Sequence, residues 1–129
     1  MPSSRRGRRR REGSRRRVRL LEPALLLLLH HGPSHAYVLL ERLGEFGVEA
    51  MDASIVYRAL RDMEGRGWVQ STWDEVDTQG PPRRVYRLTS EGDQALAQYT
   101  DLLAETRSHI ERLLGAYRQH MREGQGDHH

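Results

Sequence analysis

Residues 20–89 pass through three short helical patterns and then two extended ones, and this order limits the folds open to the chain. In the second and third segments, apolar residues recur at i, i+3, i+4 and i+7, the spacing of one buried helix face. β-branched and aromatic residues then mark two strands separated by a polar loop. The predicted elements are helices at Leu20–His31, His35–Phe46 and Ala53 to about Arg66, and strands at Trp68–Trp73 and Arg83–Leu88.

Turn and capping residues agree with these boundaries. Gly32-Pro33 ends the first helix, and Ser34 and Asp52 are placed to cap the second and third. The stripes expected to be buried are Ala36, Leu39, Leu40 and Leu43 in the second helix and Val56, Ala59, Leu60 and Met63 in the third. Three helices followed by a β-hairpin predict a winged helix-turn-helix, a mainly α fold with a small hairpin wing.

A fourth helical segment is much longer than the others. Thr89 is placed to cap it, and it is predicted from Ser90 to about Arg122, roughly 50 Å at about 1.5 Å per residue. A winged domain has too little surface to cover such a helix. We therefore expect its first turns to pack on their own domain and the rest to form a homodimer. The predicted heptad contacts are Leu96, Tyr99, Leu103, Ile110, Leu113 and Tyr117, flanked by Leu102, Leu114 and Met121.

Charge is distributed unevenly along the chain. All 21 basic residues are Arg, and ten of them lie with one Glu in residues 1–19, whereas the remainder has seventeen acidic residues against eleven Arg. Such an arm of low complexity is expected to be disordered in isolation and to contact nucleic acid. Codon bias in a GC-rich genome would also explain the absence of Lys. The expected organisation is an arm at 1–19, a winged domain at 20–89, a dimerisation helix at 90–122 and a disordered tail at 123–129.

Neither catalysis nor export is indicated. The chain has no Cys, which excludes disulfides and thiolate chemistry, and it has no HExxH, GxSxG or Gly-rich phosphate loop. We expect no enzyme and no cofactor. Arg15-Arg16-Arg17 precedes a leucine run, but Glu22-Pro23 interrupts it and leaves too few apolar residues for a signal peptide or a membrane span. The expected location is the cytoplasm.

Histidines leave one alternative open. His30, His31 and His35 lie close together in the sequence, and His120, His128 and His129 lie near the other end. Imidazole suits Zn, Ni and Cu, so a metal-responsive regulator is conceivable. The first three straddle a turn without a carboxylate at ligand spacing, and we expect no metal site.

The third helix carries the candidate DNA-reading residues on its outer face, namely Ser54, Tyr57, Arg58 and Arg61. Hydroxyl and guanidinium groups can donate to phosphates and to base edges in the major groove. Asp62 and Glu64 follow, where we expect them to avoid the groove. The alternative is an ordinary solvated helix face.

The predicted wing adds Arg83 and Arg84, which follow Pro81-Pro82. Prolines stiffen the tip of a hairpin, and Arg on a wing can contact phosphates or a minor groove. The alternative is that this basic pair is neutralised by the acidic residues of the same loop, Asp74, Glu75 and Asp77.

Three motifs together resemble the PadR family of transcriptional regulators over roughly residues 20–95. They are Gly32-Pro33 leading to His35 and Tyr37; Val56-Tyr57-Arg58-Ala59-Leu60 ending in Gly67-Trp68-Val69; and Gly80-Pro81-Pro82-Arg83-Arg84 leading to Tyr86-Arg87-Leu88-Thr89 with Gly92. The resemblance implies a dimeric winged helix that usually represses transcription and is released by an effector. It also implies that Tyr57 and its neighbours meet DNA.

The chain departs from the family pattern at two places. Ala36 stands where the family often has Gly, and Ala53-Ser54-Ile55 stands where it often has Pro-Gly-Thr. These changes bear on base preference.

The leading hypothesis is a sequence-specific regulator that binds double-stranded DNA at a palindromic operator as a homodimer, with a small-molecule effector. Two further alternatives are a general nucleic-acid binder driven by the Arg-rich arm and a protein-interaction module whose winged helix no longer touches DNA.

Overall fold

The computed structural model describes residues 20–48, 52–74 and 83–127. Its helices are α1 (residues 20–31), α2 (Ala36–Arg42), α3 (Ala53–Gly65) and α4 (Ser90–Asp127), with a 3-10 turn at Leu43–Phe46. Its strands are β1 (Ser34–His35), β2 (Val69–Asp74) and β3 (Arg83–Leu88). The predicted arm at 1–19, most of the hairpin loop and the last two tail residues lie outside the described residues.

The core lies among α1, α2, α3 and the inner face of the sheet. The predicted stripe of α3 is confirmed, because Val56, Ala59, Leu60 and Met63 are all buried. In α2 and the turn after it, the burial of Ala36, Leu39 and Leu43 is confirmed, whereas Leu40 is half-buried. Each large aliphatic side chain removed from water contributes about 1.5–3 kcal/mol, so these stripes fix how the helices face one another.

The wing is an antiparallel hairpin, as predicted, with β2 displaced by one residue from the expected range. Val69 pairs with Leu88 at the base of the hairpin and Asp74 with Arg83 near its tip. Buried Val69 and Tyr86 attach the inner face of the hairpin to the core. Wing side chains therefore alternate between a face toward the core and a face away from it.

The structure corrects the predicted start of the second helix. Ser34 and His35 are not helical but form β1, paired with Tyr86 and Val85, so that the sheet order is β1-β3-β2. His35 holds the N-cap position of α2 without a side-chain capping hydrogen bond, so the predicted Ser34 cap is wrong. A two-residue strand has no periodicity of its own, and pairing with β3 decides its conformation.

The second helix ends earlier than predicted, whereas the third begins at Ala53, as predicted. α2 stops at Arg42, and the 3-10 turn that follows ends at Gly47, whose φ of 73° lies in the left-handed region that favours glycine. Asp52 does stand at the N-cap of α3, but its side chain makes no capping hydrogen bond there. Its backbone carbonyl instead accepts from the N–H groups of Ile55 and Val56.

The start of α4 is fixed by Thr89, as predicted. The Thr89 hydroxyl accepts a hydrogen bond from the Gly92 N–H at 3.0 Å and donates one to the Gly67 carbonyl at 2.6 Å. The Thr89 N–H donates to the Trp68 carbonyl at 3.0 Å. Thr89 thus caps the helix and joins its first turn to the segment between α3 and β2.

Glu91 belongs to that first turn. A hydrogen bond from its own backbone N–H, and a second from the Ser90 hydroxyl, lower the pKa of the Glu91 carboxyl. A negative charge is favourable at this end of a helix, because unpaired N–H groups point toward it.

The chain forms two compact units, residues up to Leu96 and residues from Ala97 onward. Leu96 is 7% exposed, so this predicted dimer contact is a core residue of its own chain. The helix also continues to Asp127, and the predicted disordered tail is therefore wrong for residues 123–127.

Replacing Gly92 by Ala is expected to destabilise the protein, although Ala normally favours a helix by about 1 kcal/mol over Gly. A Cβ at this position would overlap the Trp68 carbonyl. We expect Gly92→Ala to lower the free energy of unfolding by about 1–3 kcal/mol, as overpacking usually does. Gly115 is the control, because a Cβ there meets open space, and Gly115→Ala should be neutral or stabilising. Urea denaturation measures both; equal stabilisation by the two variants would contradict the described packing.

Candidate nucleic-acid interface

The outer face of α3 carries the four predicted side chains, and all of them are exposed. Ser54, Tyr57, Arg58 and Arg61 follow the i, i+3, i+4, i+7 spacing that puts them on one face of a helix. Within the described part of the chain, no carboxylate pairs with Arg58 or Arg61. Their guanidinium groups therefore keep all their N–H donors available for a ligand.

The two wing Arg begin β3, where the alternation of a strand directs neighbouring side chains to opposite faces. Each lies over an aromatic ring. The guanidinium carbon of Arg83 is 5.0 Å from the centre of the Tyr37 ring, and that of Arg84 is 4.9 Å from the Trp73 ring. Cation–π contacts of this kind limit the rotamers of an Arg without neutralising its charge.

A cavity of about 500 Å³ brings three of the predicted residues together. Its lining combines α3, the start of α2 and the wing, with Tyr57, Arg83 and Arg84 joined by His35, Ala36, Tyr37 and Tyr86. Phenol and guanidinium groups donate hydrogen bonds, and this combination suits the oxygens of a phosphate. Ser54, Arg58 and Arg61 do not line the cavity and extend the same polar surface along α3.

His35, in β1, lines one side of the cavity. Its ring stacks on that of Tyr37, with the ring centres 5.6 Å apart and the planes 28° from parallel. Its buried Nε2 lies 3.2 Å from Asp74 Oδ2, at an angle that does not form a hydrogen bond. The contact reaches from β1 across β3 to the outer end of β2, and the Tyr37 ring that stacks on His35 is the one that Arg83 lies over.

Glu64 connects α3 to the wing. The Ser71 hydroxyl donates to both oxygens of its carboxylate, at 3.1 Å and 2.5 Å, and Arg84 Nη1 lies 3.9 Å from Oε1. The sequence led us to expect that Glu64 avoids the groove, but it did not reveal the contacts with Ser71 and Arg84. No local signal could have revealed them, because Ser71 and Arg84 lie in two other elements.

Tyr37 and Trp73 were also missing from the predicted site. Both are exposed aromatic side chains, 42% and 57% respectively, beside the wing Arg. The sequence did point to Tyr37, because Tyr37 belongs to the motif that begins at Gly32-Pro33. Trp73 lies directly opposite Arg84 in the hairpin. Knowledge of the strand register would therefore have predicted their contact.

Of the histidines that left a metal-responsive regulator open, His128 and His129 lie outside the described residues. Among residues 20–48, 52–74 and 83–127, no three His, Cys, Asp or Glu stand close enough together to hold a metal ion. His30 Nδ1 lies 3.0 Å from Asp93 Oδ1, between the end of α1 and the first turn of α4. The same described segments contain no helix that is both long and apolar enough to cross a membrane.

Several solved structures are similar to this chain. A candidate transcriptional regulator from Thermoplasma acidophilum is 31% identical, with 74% of this chain and 91% of that one covered and a TM-score of 0.66. A PadR-like transcription factor from Bacteroides fragilis is 27% identical, with 80% and 98% covered and a TM-score of 0.65. A PadR family regulator from Eggerthella lenta is 27% identical, with 70% and 80% covered and a TM-score of 0.60.

No curated protein matches the sequence. The sequence profile of the Transcriptional regulator PadR-like family matches residues 25–98, which include α2, α3, the wing and the first turns of α4. The motifs, the winged helix and this match lead to one conclusion: the chain belongs to the PadR-like family of transcriptional regulators, which are DNA-binding proteins and not enzymes.

Proposed function

We propose that this protein is a sequence-specific transcriptional repressor, which binds a palindromic operator as a homodimer and is released by a small-molecule effector. The observation that carries the proposal is the exposed pair Arg58 and Arg61 on α3, which no carboxylate of the described residues neutralises, together with a cavity lined by Tyr57, Arg83 and Arg84. A DNA target also fits the cytoplasmic location expected from the sequence.

In this proposal the roles divide between α3 and the wing. The N-terminal half of a recognition helix enters the major groove, where Arg reads guanine and hydroxyl groups contact either bases or phosphates. Ser54, Tyr57 and Arg58 lie in this half of α3 and Arg61 follows three residues later on the same face; in this proposal all four take these roles. Tyr37, Arg83 and Arg84 contact the adjacent phosphates or the minor groove.

The proposed homodimer rests on the second unit of the chain. Leu103, Ile110, Leu113 and Tyr117 expose between 38% and 72% of their surface, and they repeat at heptad spacing along α4. Leu102, Leu114 and Met121 extend this exposed apolar stripe, and Tyr99 at its start is half-buried. A second copy of the same helix would remove the stripe from water by coiled-coil packing.

Repression and effector release are supported by the family resemblance of the sequence rather than by a particular contact. Repression requires that the bound dimer occupy a site that a promoter needs, and release requires an effector that binds the free dimer more tightly than the DNA-bound one.

Selection of bound sites from random DNA tests the function directly. We expect a palindrome whose half-site centres lie about one helical turn apart, or about 10 base pairs, because a two-fold dimer presents two equivalent α3 helices. Footprinting of the selected site should protect both halves. An asymmetric single half-site, or no enriched sequence, would contradict the proposal.

Arg61→Ala is expected to weaken operator binding by about 1–3 kcal/mol and to relax the preference at one base position. Arg112→Ala, which removes the same charge from an exposed position on α4, is the matched control and should have little effect. The affinities of Arg61→Ala for the operator and for its single-base variants distinguish the possible roles. If affinity falls equally for all sequences, Arg61 contacts a phosphate rather than a base. If affinity does not fall at all, α3 is not part of the interface.

Ile110→Asp is expected to convert the protein to a monomer at micromolar concentration, because a symmetric interface would bury the new carboxylate twice without a partner. Operator affinity should fall steeply, since the two half-sites are no longer linked. Ser108→Asp adds the same charge at an exposed position outside the heptad stripe and should remain dimeric. Light scattering reports the outcome; a dimeric Ile110→Asp with normal DNA binding would refute the proposed interface.

A further inference from the structure

Glu64 places a negative charge at an unfavourable position. It lies in the last turn of α3, where the helix carbonyls already present partial negative charge and no basic residue of the same turn offsets it. A carboxylate beside a DNA-binding surface also repels phosphates. Helix stability and DNA affinity would both favour a neutral residue here, so the explanation lies in what the carboxylate contacts.

Those contacts reach both strands of the wing. Ser71 in β2 donates its hydroxyl hydrogen to the two carboxylate oxygens, and Arg84 in β3 brings Nη1 to 3.9 Å from one of them. Glu64 is 32% exposed, so the carboxylate lies between the helix and the hairpin rather than in open solvent. One side chain of α3 thus connects the proposed reading helix to the whole wing.

Arg84 is held from two directions. Trp73 lies under its guanidinium group at 4.9 Å, and Glu64 lies beyond Nη1. A partly exposed ion pair at 3.9 Å contributes little energy by itself. It can nevertheless select one orientation of the side chain, and a guanidinium with five N–H donors keeps several of them free for a phosphate or a base edge.

We propose that Glu64 is a positioning residue for DNA binding, which fixes the wing against α3 and aims Arg84 at the DNA without touching the DNA itself. The inference rests on the proposed function, since it assumes that α3 and the wing bind the same operator. It assigns to an acidic residue a favourable contribution to binding a polyanion, which acts through Arg84.

The sign of the effect of Glu64→Gln tests this inference. The substitution keeps the length of the side chain and an acceptor for Ser71 but removes the charge that faces Arg84. If Glu64 only repelled phosphates, its neutralisation would raise operator affinity; as a positioning residue, its neutralisation should lower that affinity by about tenfold. Fluorescence anisotropy with the selected operator at fixed salt measures the difference.

Asp62→Asn is the matched control, because it removes the same charge from an exposed position on the same helix. Its operator affinity should be unchanged or raised by about twofold, the size of a screened charge effect. The comparison is repeated in an Arg84→Ala background, where Glu64→Gln should cause no further loss. A purely structural role for Glu64 would cause the same loss in both backgrounds.

Thermal unfolding of each variant accompanies the binding data. Should Glu64→Gln not fold, Ser71→Ala replaces it, because loss of the hydroxyl frees the carboxylate and should weaken operator binding several-fold. The positioning role is refuted if Glu64→Gln binds the operator as tightly as Asp62→Asn does. It is also refuted if Glu64→Gln lowers operator affinity by the same factor in the Arg84→Ala background as in the unsubstituted protein. If the unsubstituted protein shows no sequence preference at all, it is the proposed function that fails.

Discussion

Burial of one face of α3 determines where the opposite face points. Val56, Leu60 and Met63 are removed from water, and the 3.6-residue period then leaves Tyr57, Arg58 and Arg61 on the outside. No polar contact within the described residues is needed to present these two Arg. Their positions follow from the apolar core, so the surface that we assign to DNA is preorganised by buried residues that do not themselves form that surface.

The wing is held differently from α3, because a hairpin at the edge of a small domain has little core of its own. Buried Val69 and Tyr86 attach it to the core, and contacts made by charged side chains add to this attachment toward its tip. Arg83 and Arg84 each lie over an aromatic ring, and carboxylates of Glu64 and Asp74 stand near the same region. None of these partly exposed contacts is strong alone. Together they restrict the rotamers of two long side chains, which reduces the entropy lost when those side chains bind a ligand.

Regular patterns made much of this fold predictable. The apolar stripe of α3, the hairpin and the Thr89 cap each have a local signal, and the structure contains all three. Features that depend on distant partners had no such signal. β1 exists because β3 pairs with it, and Leu96 is buried because its own domain covers it, although its heptad spacing equally fits a dimer. For the same reason the helix face of the candidate site was predictable, whereas Glu64 and Trp73 were not.

Tyr86 anchors β3 by its burial, at 4% exposure, and the strand pairs on both sides through this residue. Because side chains alternate along a strand, that anchor also decides which face receives Arg84 and which receives Arg83. A shift of register by one residue would carry the Tyr86 ring out of the core, so the two guanidinium groups cannot exchange faces without exposing that ring to water.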